Sequence, residues 1–177
     1  VHRANVLPNP ENALSSILYV ISQNSLGELV PCSDALKRNL STYLNEFRLI
    51  GDAMDVLDAH VINFQVRINC RFTHAVNKYE LISKIISEVK KLYVKEKIAL
   101  GKPIIISEMR SVVQNLTGVI SVVDIELLNV SGDIENRDYS STKKNLSEIL
   151  DNDVYFIDPY EIFELRYPNN DIIVTVL

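Results

Sequence analysis

The sequence predicts an α+β fold, a mostly antiparallel sheet with two or three helices packed on one face, built from ferredoxin-like elements plus a C-terminal hairpin. Three observations predict it. From His60 to Phe72 the even positions are apolar (Ile62, Phe64, Val66, Ile68, Cys70, Phe72) and the intervening ones polar (Asn63, Gln65, Arg67, Asn69, Arg71), the signature of a long strand with one dry and one wet face. Two stretches instead repeat apolar residues every three or four positions, as amphipathic helices do. And 47% hydrophobic with 23% charged residues in 177 residues is enough to build a core.

Taken in order, VHRANVLPNP reads as an extended arm able to join a sheet as an edge strand, ending at its prolines. SSILYVISQN predicts a buried strand over 16–22, and SLGELVP turns the chain at Gly27 and stops at Pro31. A helix follows, capped by Ser33 with Asp34 against its dipole, carrying Leu36, Leu40, Tyr43, Leu44 and Phe47 on one face and ending at Gly51. Asp52, Asp55 and Asp58 read as a solvated acidic connector into the long strand. Asn77 with Glu80 resembles a capping box opening a helix that buries Leu81, Ile82, Ile85, Ile86, Val89, Leu92 and Tyr93. A shorter helix runs from Ser107 to Gly118, and GVISVVDIELLNV is a third strand. Residues 131–153, rich in Ser, Asn, Asp and Glu, predict a long loop or irregular excursion, ordered by a neighbour. YEIFELRY, PNND and IIVTVL close the chain as a hairpin. In this reading Phe64, Val66, Ile68, Cys70 and Phe72 lie under Leu36, Leu40, Phe47, Ile85 and Val89.

Several functional classes lose ground. With 18 Lys and Arg against 23 Asp and Glu, the formal net charge of -5 disfavours nucleic acid, whose phosphates reward basic surfaces. Five glycines spread singly offer no phosphate loop. No apolar run reaches the roughly 18 residues that span a bilayer, and Val1, His2 and Arg3 do not open a signal peptide. A first residue other than Met reads as a piece of a longer protein. Cys32 and Cys70, without metal spacing, read as two reduced, structural thiols rather than a disulfide.

No constellation carries chemistry either. His2, His60 and His74 have no second ligand or nucleophile at useful spacing. The acidic Asp52, Asp55 and Asp58 lack the glycine and bidentate glutamate of a calcium loop. Asp124 and Glu126 share the wet face of a strand without a partner acid. Catalytic, cofactor and metal sites are therefore expected to be none. Charge is segregated, however. Seven lysines between Lys78 and Lys102 face three glutamates, whereas Asp124 to Arg166 holds eleven acids against four bases. Two solvated faces explain this, or electrostatic complementarity that orders copies or partners in an assembly.

The stretch DALKRNLSTYLNEFRLIGDAMDVLDAHVINFQVRINCRF, the helix from Asn77, then GKPIIISEMRSVVQNLTGVISVVDIELLN and the closing PYEIFELRYPNNDIIVTVL together resemble the C-terminal region of baseplate-J-like wedge proteins, the large wedge subunits of contractile phage tails and related injection machines. The likeness covers 33–177 and rests on order and spacing, and it divides the chain into an extended arm with its first strand (1–32) and the family-like domain (33–177). The arm before Ser33 matches loosely, and no residue here inherits contacts of the family's N-terminal helical part. The resemblance implies a non-enzymatic structural protein of the virion tail baseplate, assembled in the host cytoplasm. It implies self-pairing between neighbouring wedges in a ring around the tail hub, with other baseplate wedge and sheath-initiator subunits as partners, and neither nucleic acid nor membrane. The arm at 1–7 and the uncharged run of DIIVTVL are the extended edges that would be covered by a neighbour. The rival reading is a ferredoxin-like ligand-binding or enzyme accessory domain, which a bound metabolite would favour.

Overall fold

The computed structural model describes residues 1–12, 14–47, 53–73, 76–94 and 97–177. The chain divides into two compact units, one of Val1–Val61, Ala99–Gly101 and Asp158–Ile162, the other of Ile62–Ile98, Lys102–Ile157 and Phe163–Leu177.

In the first unit the predicted arm is a strand, β1 (Arg3–Pro8), antiparallel to β2 (Ser15–Gln23). Gly27, at φ +79°, turns the chain so that β3 (Leu29–Val30) pairs back on the end of β2. Helix α1 (Asp34–Asn45) begins where the sequence places it, with the Ser33 hydroxyl accepting the Leu36 N–H. The acidic connector is a strand instead: β4 (Ala53–Asp58) runs parallel to β2. Its period is two, so Met54 and Val56 turn to the helix and Asp55 to water. That strand also corrects the packing of α1. Leu36, Leu40 and Leu44 rest on Leu18, Val20, Cys32, Met54 and Val56 rather than on the long strand, and Phe47 is 68% exposed. Asp52 and the predicted stop at Gly51 lie outside the described residues.

The long strand β5 (His60–Phe72) has the predicted limits. In the second unit β7 (Val119–Asn129) pairs with it antiparallel, from Phe64 opposite Asn129 to Phe72 opposite Val119, with irregularities beside Cys70 and Phe72. Helices α2 (Lys78–Leu92) and α3 (Ile106–Gln114) form the layer that covers the dry face, α2 beside β13 (Ile172–Val176) and α3 beside β7. Phe64, Val66, Ile68, Cys70, Leu81, Ile85, Val89, Met109 and Val113 are at most 1% exposed in one cluster. Asn77 caps α2 through Tyr79 N–H, while Glu80 pairs with Lys84 instead of closing a capping box. Gly118, at φ +105°, passes so close to Val76 and Leu81 that a Cβ would stand 2.9 Å from the Val76 methyl. The close approach explains why the turn from α3 into β7 uses glycine.

Two expectations change here. The closing segment is not a hairpin: β12 (Glu161–Glu164) and β13 each pair with β5, and β13 runs parallel to it. The cause is PNND, which forms a short helix α4 (Pro168–Asp171) held by the buried Asp171 carboxylate accepting the Tyr167 N–H. The excursion after β7 is ordered by its own chain. It holds a hairpin of β8 (Asp133–Ile134) and β9 (Arg137–Asp138), whose turn residues Glu135 and Asn136 both take positive φ. Beyond it β10 (Leu150–Asp151) pairs with β11 (Val154–Tyr155), which joins β6 (Ile104–Ile105) ahead of α3. Mixed elements with mostly antiparallel pairing make the fold α+β.

Candidate functional site

The second unit's sheet has two unlike edges. On β7 four backbone groups are met by side chains: Gln114 donates to Ile120 O (3.1 Å) and accepts from Val122 N–H (3.0 Å), Arg110 donates to Val122 O (3.3 Å), and the Tyr155 hydroxyl accepts from Leu127 N–H (3.4 Å). Backbone groups met in this way are not free to pair with another strand. On β13, residues Ile172 to Val176 carry no charge, and among the described residues no side chain beyond β5 caps the backbone. Val174 packs inward against the core, whereas Ile173 is 39% exposed on the outer face.

That outer face is patterned by register. Ile173 on β13 lies level with Arg67 on β5 and Glu126 on β7; one row on, Thr175, Asn69 and Asp124 are level; then Arg71 faces Ser121. An uncharged column of Ile173 and Thr175 therefore runs beside one that carries Arg67 and Arg71 and one that carries Glu126 and Asp124. Arg67, Arg71, Asp124 and Glu126 are exposed and make no ion pair among the described residues. The irregularities in β7 also leave Ile120 and Val123 exposed, at 60% and 46%. The lysine-rich segment is less bare than its composition suggests, since Lys84 pairs with Glu80 and Lys91 with Glu88 along α2.

A buried polar cluster, which the sequence reading missed, holds the excursion. Asn63 sits on the predicted wet face of β5 yet is fully buried, donating to Glu164 (2.8 Å) and accepting from Ser140 N–H (2.6 Å). Asn129 Oδ1 accepts from Lys144 N–H, and the Tyr139 hydroxyl donates to Asp171 at 2.6 Å. Burial raises the Asp171 carboxyl above its ordinary value, against the opposing pull of these hydrogen bonds and of Arg137. Burial also raises Tyr139, reinforced by Asp171. These groups tie segments together and leave no nucleophile beside a base. An open cleft of about 470 Å³ nearby is lined by Leu127, Asn129, Ser131, Lys143, Lys144 and Ser147.

The residues weighed for chemistry lie apart. His60 meets the Tyr160 ring edge-on at 5.4 Å, and His74 is outside the described residues. His2 donates its backbone N–H to Ile21 O at the open end of β1. Asp58 accepts from Cys32 N–H (2.9 Å) and pairs with Lys37 (2.7 Å), fastening α1's entry to β4. The same carboxylate, with Asp34, raises the Lys37 ammonium. Asp124 and Glu126 belong to the striped face. Among the described residues no three His, Cys, Asp or Glu side chains gather as metal ligands, and no helix is long and apolar enough to cross a membrane. Cys32 and Cys70 are both free and buried, and burial pushes the Cys70 thiol up to about 11.

No family model matches the sequence, and no curated protein matches it. Among solved structures, a chain of the anti-feeding prophage (AFP) baseplate, in its 6-fold symmetrised cryo-EM structure, is similar at 16% identity with a TM-score of 0.49. The likeness covers 71% of this chain and 29% of that one, so this chain spans less than a third of its neighbour's length.

Proposed function

We propose that this chain is a non-catalytic assembly domain of a contractile-tail baseplate wedge, with 33–177 as the working part and 1–32 as its arm. It contributes to the ring around the tail hub by joining copies of itself and by contacting other wedge and sheath-initiator subunits, in a particle assembled in the host cytoplasm. The sequence resemblance over 33–177 suggests the family. The observation that carries the role is the contrast between the two sheet edges: β7 is capped by Gln114, Arg110 and Tyr155, while β13 leaves an uncharged edge open. Exposed edges of this kind are covered, charged or paired in native proteins. A strand from another chain completes it.

Light scattering on the chain alone, and mixed with wedge and sheath-initiator chains expressed with it, tests the role. The expected result is a species heavier than the 20.1 kDa monomer in at least one mixture. A chain that stays monomeric with every one of them, and is stabilised against heat by a small metabolite, would reverse the assignment in favour of the ligand-binding reading.

A further inference from the structure

We infer that a second copy of this chain pairs edge to edge with β13, antiparallel, with Thr175 on the two-fold axis. The inference rests on the reading above that the chain joins copies of itself, and adds the register in which it does so. Leu177 N–H donates to Cys70 O at 3.0 Å, which fixes how the backbone faces along β13. Successive residues of a strand direct their backbone groups to opposite sides. Ile173, Thr175 and Leu177 therefore bond towards β5, and Val174 and Val176 aim their N–H and C=O away from it. Ile172 faces the same way as Val174 but is the C-cap of α4, so the open edge begins past it. Among the described residues no strand and no side chain meets the outward groups of Val174 and Val176.

What argues for a copy is that the edge reads alike in both directions. In a two-fold interface a residue that meets another is met by it in return, so an edge suits its own copy when its pattern is symmetric about one residue. About Thr175 it is: Val174 mirrors Val176, and Ile173 mirrors Leu177. Val174 and the second copy's Val176 then exchange both N–H···O bonds, as do the same two residues across the axis, and every outward group of both is met. On the outer face Ile173 and Leu177, 39% and 64% exposed, become cross-strand neighbours, and Thr175 meets Thr175. Apolar and threonine pairs of this kind favour pairing, and no side chain from Ile172 to Leu177 carries a charge to repel the copy. Moving the axis to Val174 would set Leu177 level with Asp171, inside α4, where no strand continues. The axis stands perpendicular to the sheet, so β7–β5–β13 continues into the copy's β13–β5–β7 with both helical layers on one face. Five residues at about 3.3 Å each make a seam of roughly 17 Å, too short for the roughly 1,200–2,000 Å² of a standard interface. The pairing is therefore weak alone, and multivalency in a ring would reinforce it.

Cross-linking, amide exchange and sedimentation velocity on the full chain test this. The two Thr175 residues form a non-hydrogen-bonded pair with Cα atoms about 4.5 Å apart, within reach of a disulfide. Thr175→Cys is expected to give a covalent dimer on mild oxidation, and Ile173→Cys, whose counterpart is Leu177, at most about a tenth as much. Wild type, with both thiols buried, should give none. Both substituted positions are exposed, and circular dichroism checks that each variant is folded. In wild type the Val174 and Val176 amides should slow their exchange as concentration rises, while those of Ile173 and Thr175, held by β5, stay unchanged. Thr175→Lys, which opposes two ammonium groups, should weaken the dimer about threefold or more. Should Thr175→Cys fail to fold, the exchange pattern of wild type decides alone. Equal cross-linking at both positions, or a dimer in which the Val174 and Val176 amides never slow, overturns the inference and leaves self-pairing to another surface. A chain that stays monomeric at every concentration and does not cross-link overturns self-pairing as well, and the wedge role then stands or falls on the mixtures with other chains.

Discussion

Asp171 is fully buried at the junction of α4 and β13, where its carboxylate receives the Tyr139 hydroxyl and the Tyr167 N–H. Removing one donor from a buried charged acceptor leaves it short of solvation, so Tyr139→Phe is expected to cost about 1.5–3 kcal/mol in a denaturant melt. A change within error would show that the excursion is held elsewhere. The pH dependence has a definite sign. Because burial raises Asp171 above 3.8, the folded state holds its proton more tightly than the unfolded chain does. The stability this confers is full below 3.8 and is lost as pH rises through the folded value. Stability of wild type minus that of Asp171→Asn should therefore fall across that window and flatten above it. A flat difference throughout would mean that the carboxyl titrates as in the unfolded chain. Phe64 offers the apolar counterpart. It is 1% exposed, with Tyr93 and Phe163 edge-on at 5.4 and 5.6 Å, so Phe64→Ala is expected to cost about 3–5 kcal/mol. A loss below about 1 kcal/mol would contradict that burial.

At the scale of elements, period was the legible signal and pairing was not. The alternation from His60 to Phe72 placed β5 to the residue, and Ser33 and Asn77 announced the starts of α1 and α2. Partners are a non-local matter, which explains why α1 was laid on the wrong sheet. Its face of Leu36, Leu40 and Leu44 fits any apolar layer, and the layer it found includes β4, hidden because three aspartates made the segment look like a connector. PNND carries turn residues that a hairpin and a short helix share, so only the burial of Asp171 separates them. Asn63 was unreadable for a similar reason: a polar residue in an alternating strand looks wet until the excursion folds over it. The striped face was half visible, since Arg67, Arg71, Asp124 and Glu126 were assigned to wet faces, but the register that aligns them is a property of the paired sheet. The two faces of β13 give a direct check. Val174 packs on the core and Thr175 is exposed, so Val174→Lys should lower the melting temperature sharply, while Thr175→Lys should alter stability by no more than about 0.5 kcal/mol. Equal losses would mean that β13 is not seated in this register.

At the scale of the whole chain, the two cysteines report on separate units. Cys32 lies in the first, in a small cluster with Leu18 and Val20 under α1, a helix that has no fully buried residue of its own. Cys70 lies in the second, fully buried in the extensive cluster beneath α2 and α3. Regions with few buried apolar contacts open at lower free energy than dense cores. Alkylation pulses at increasing denaturant should therefore label Cys32 first and Cys70 only near the global transition. Burial strengthens the contrast: the Cys70 thiol, pushed up to about 11, yields almost no thiolate until its surroundings open. Complete unfolding without reductant should give two labels by mass spectrometry, because both thiols are free. A mass two daltons light with neither thiol labelled would overturn the reduced state. Labelling of both cysteines at one denaturant concentration would show instead that the two units unfold as a single cooperative body, and that α1 is as firmly held as the main core.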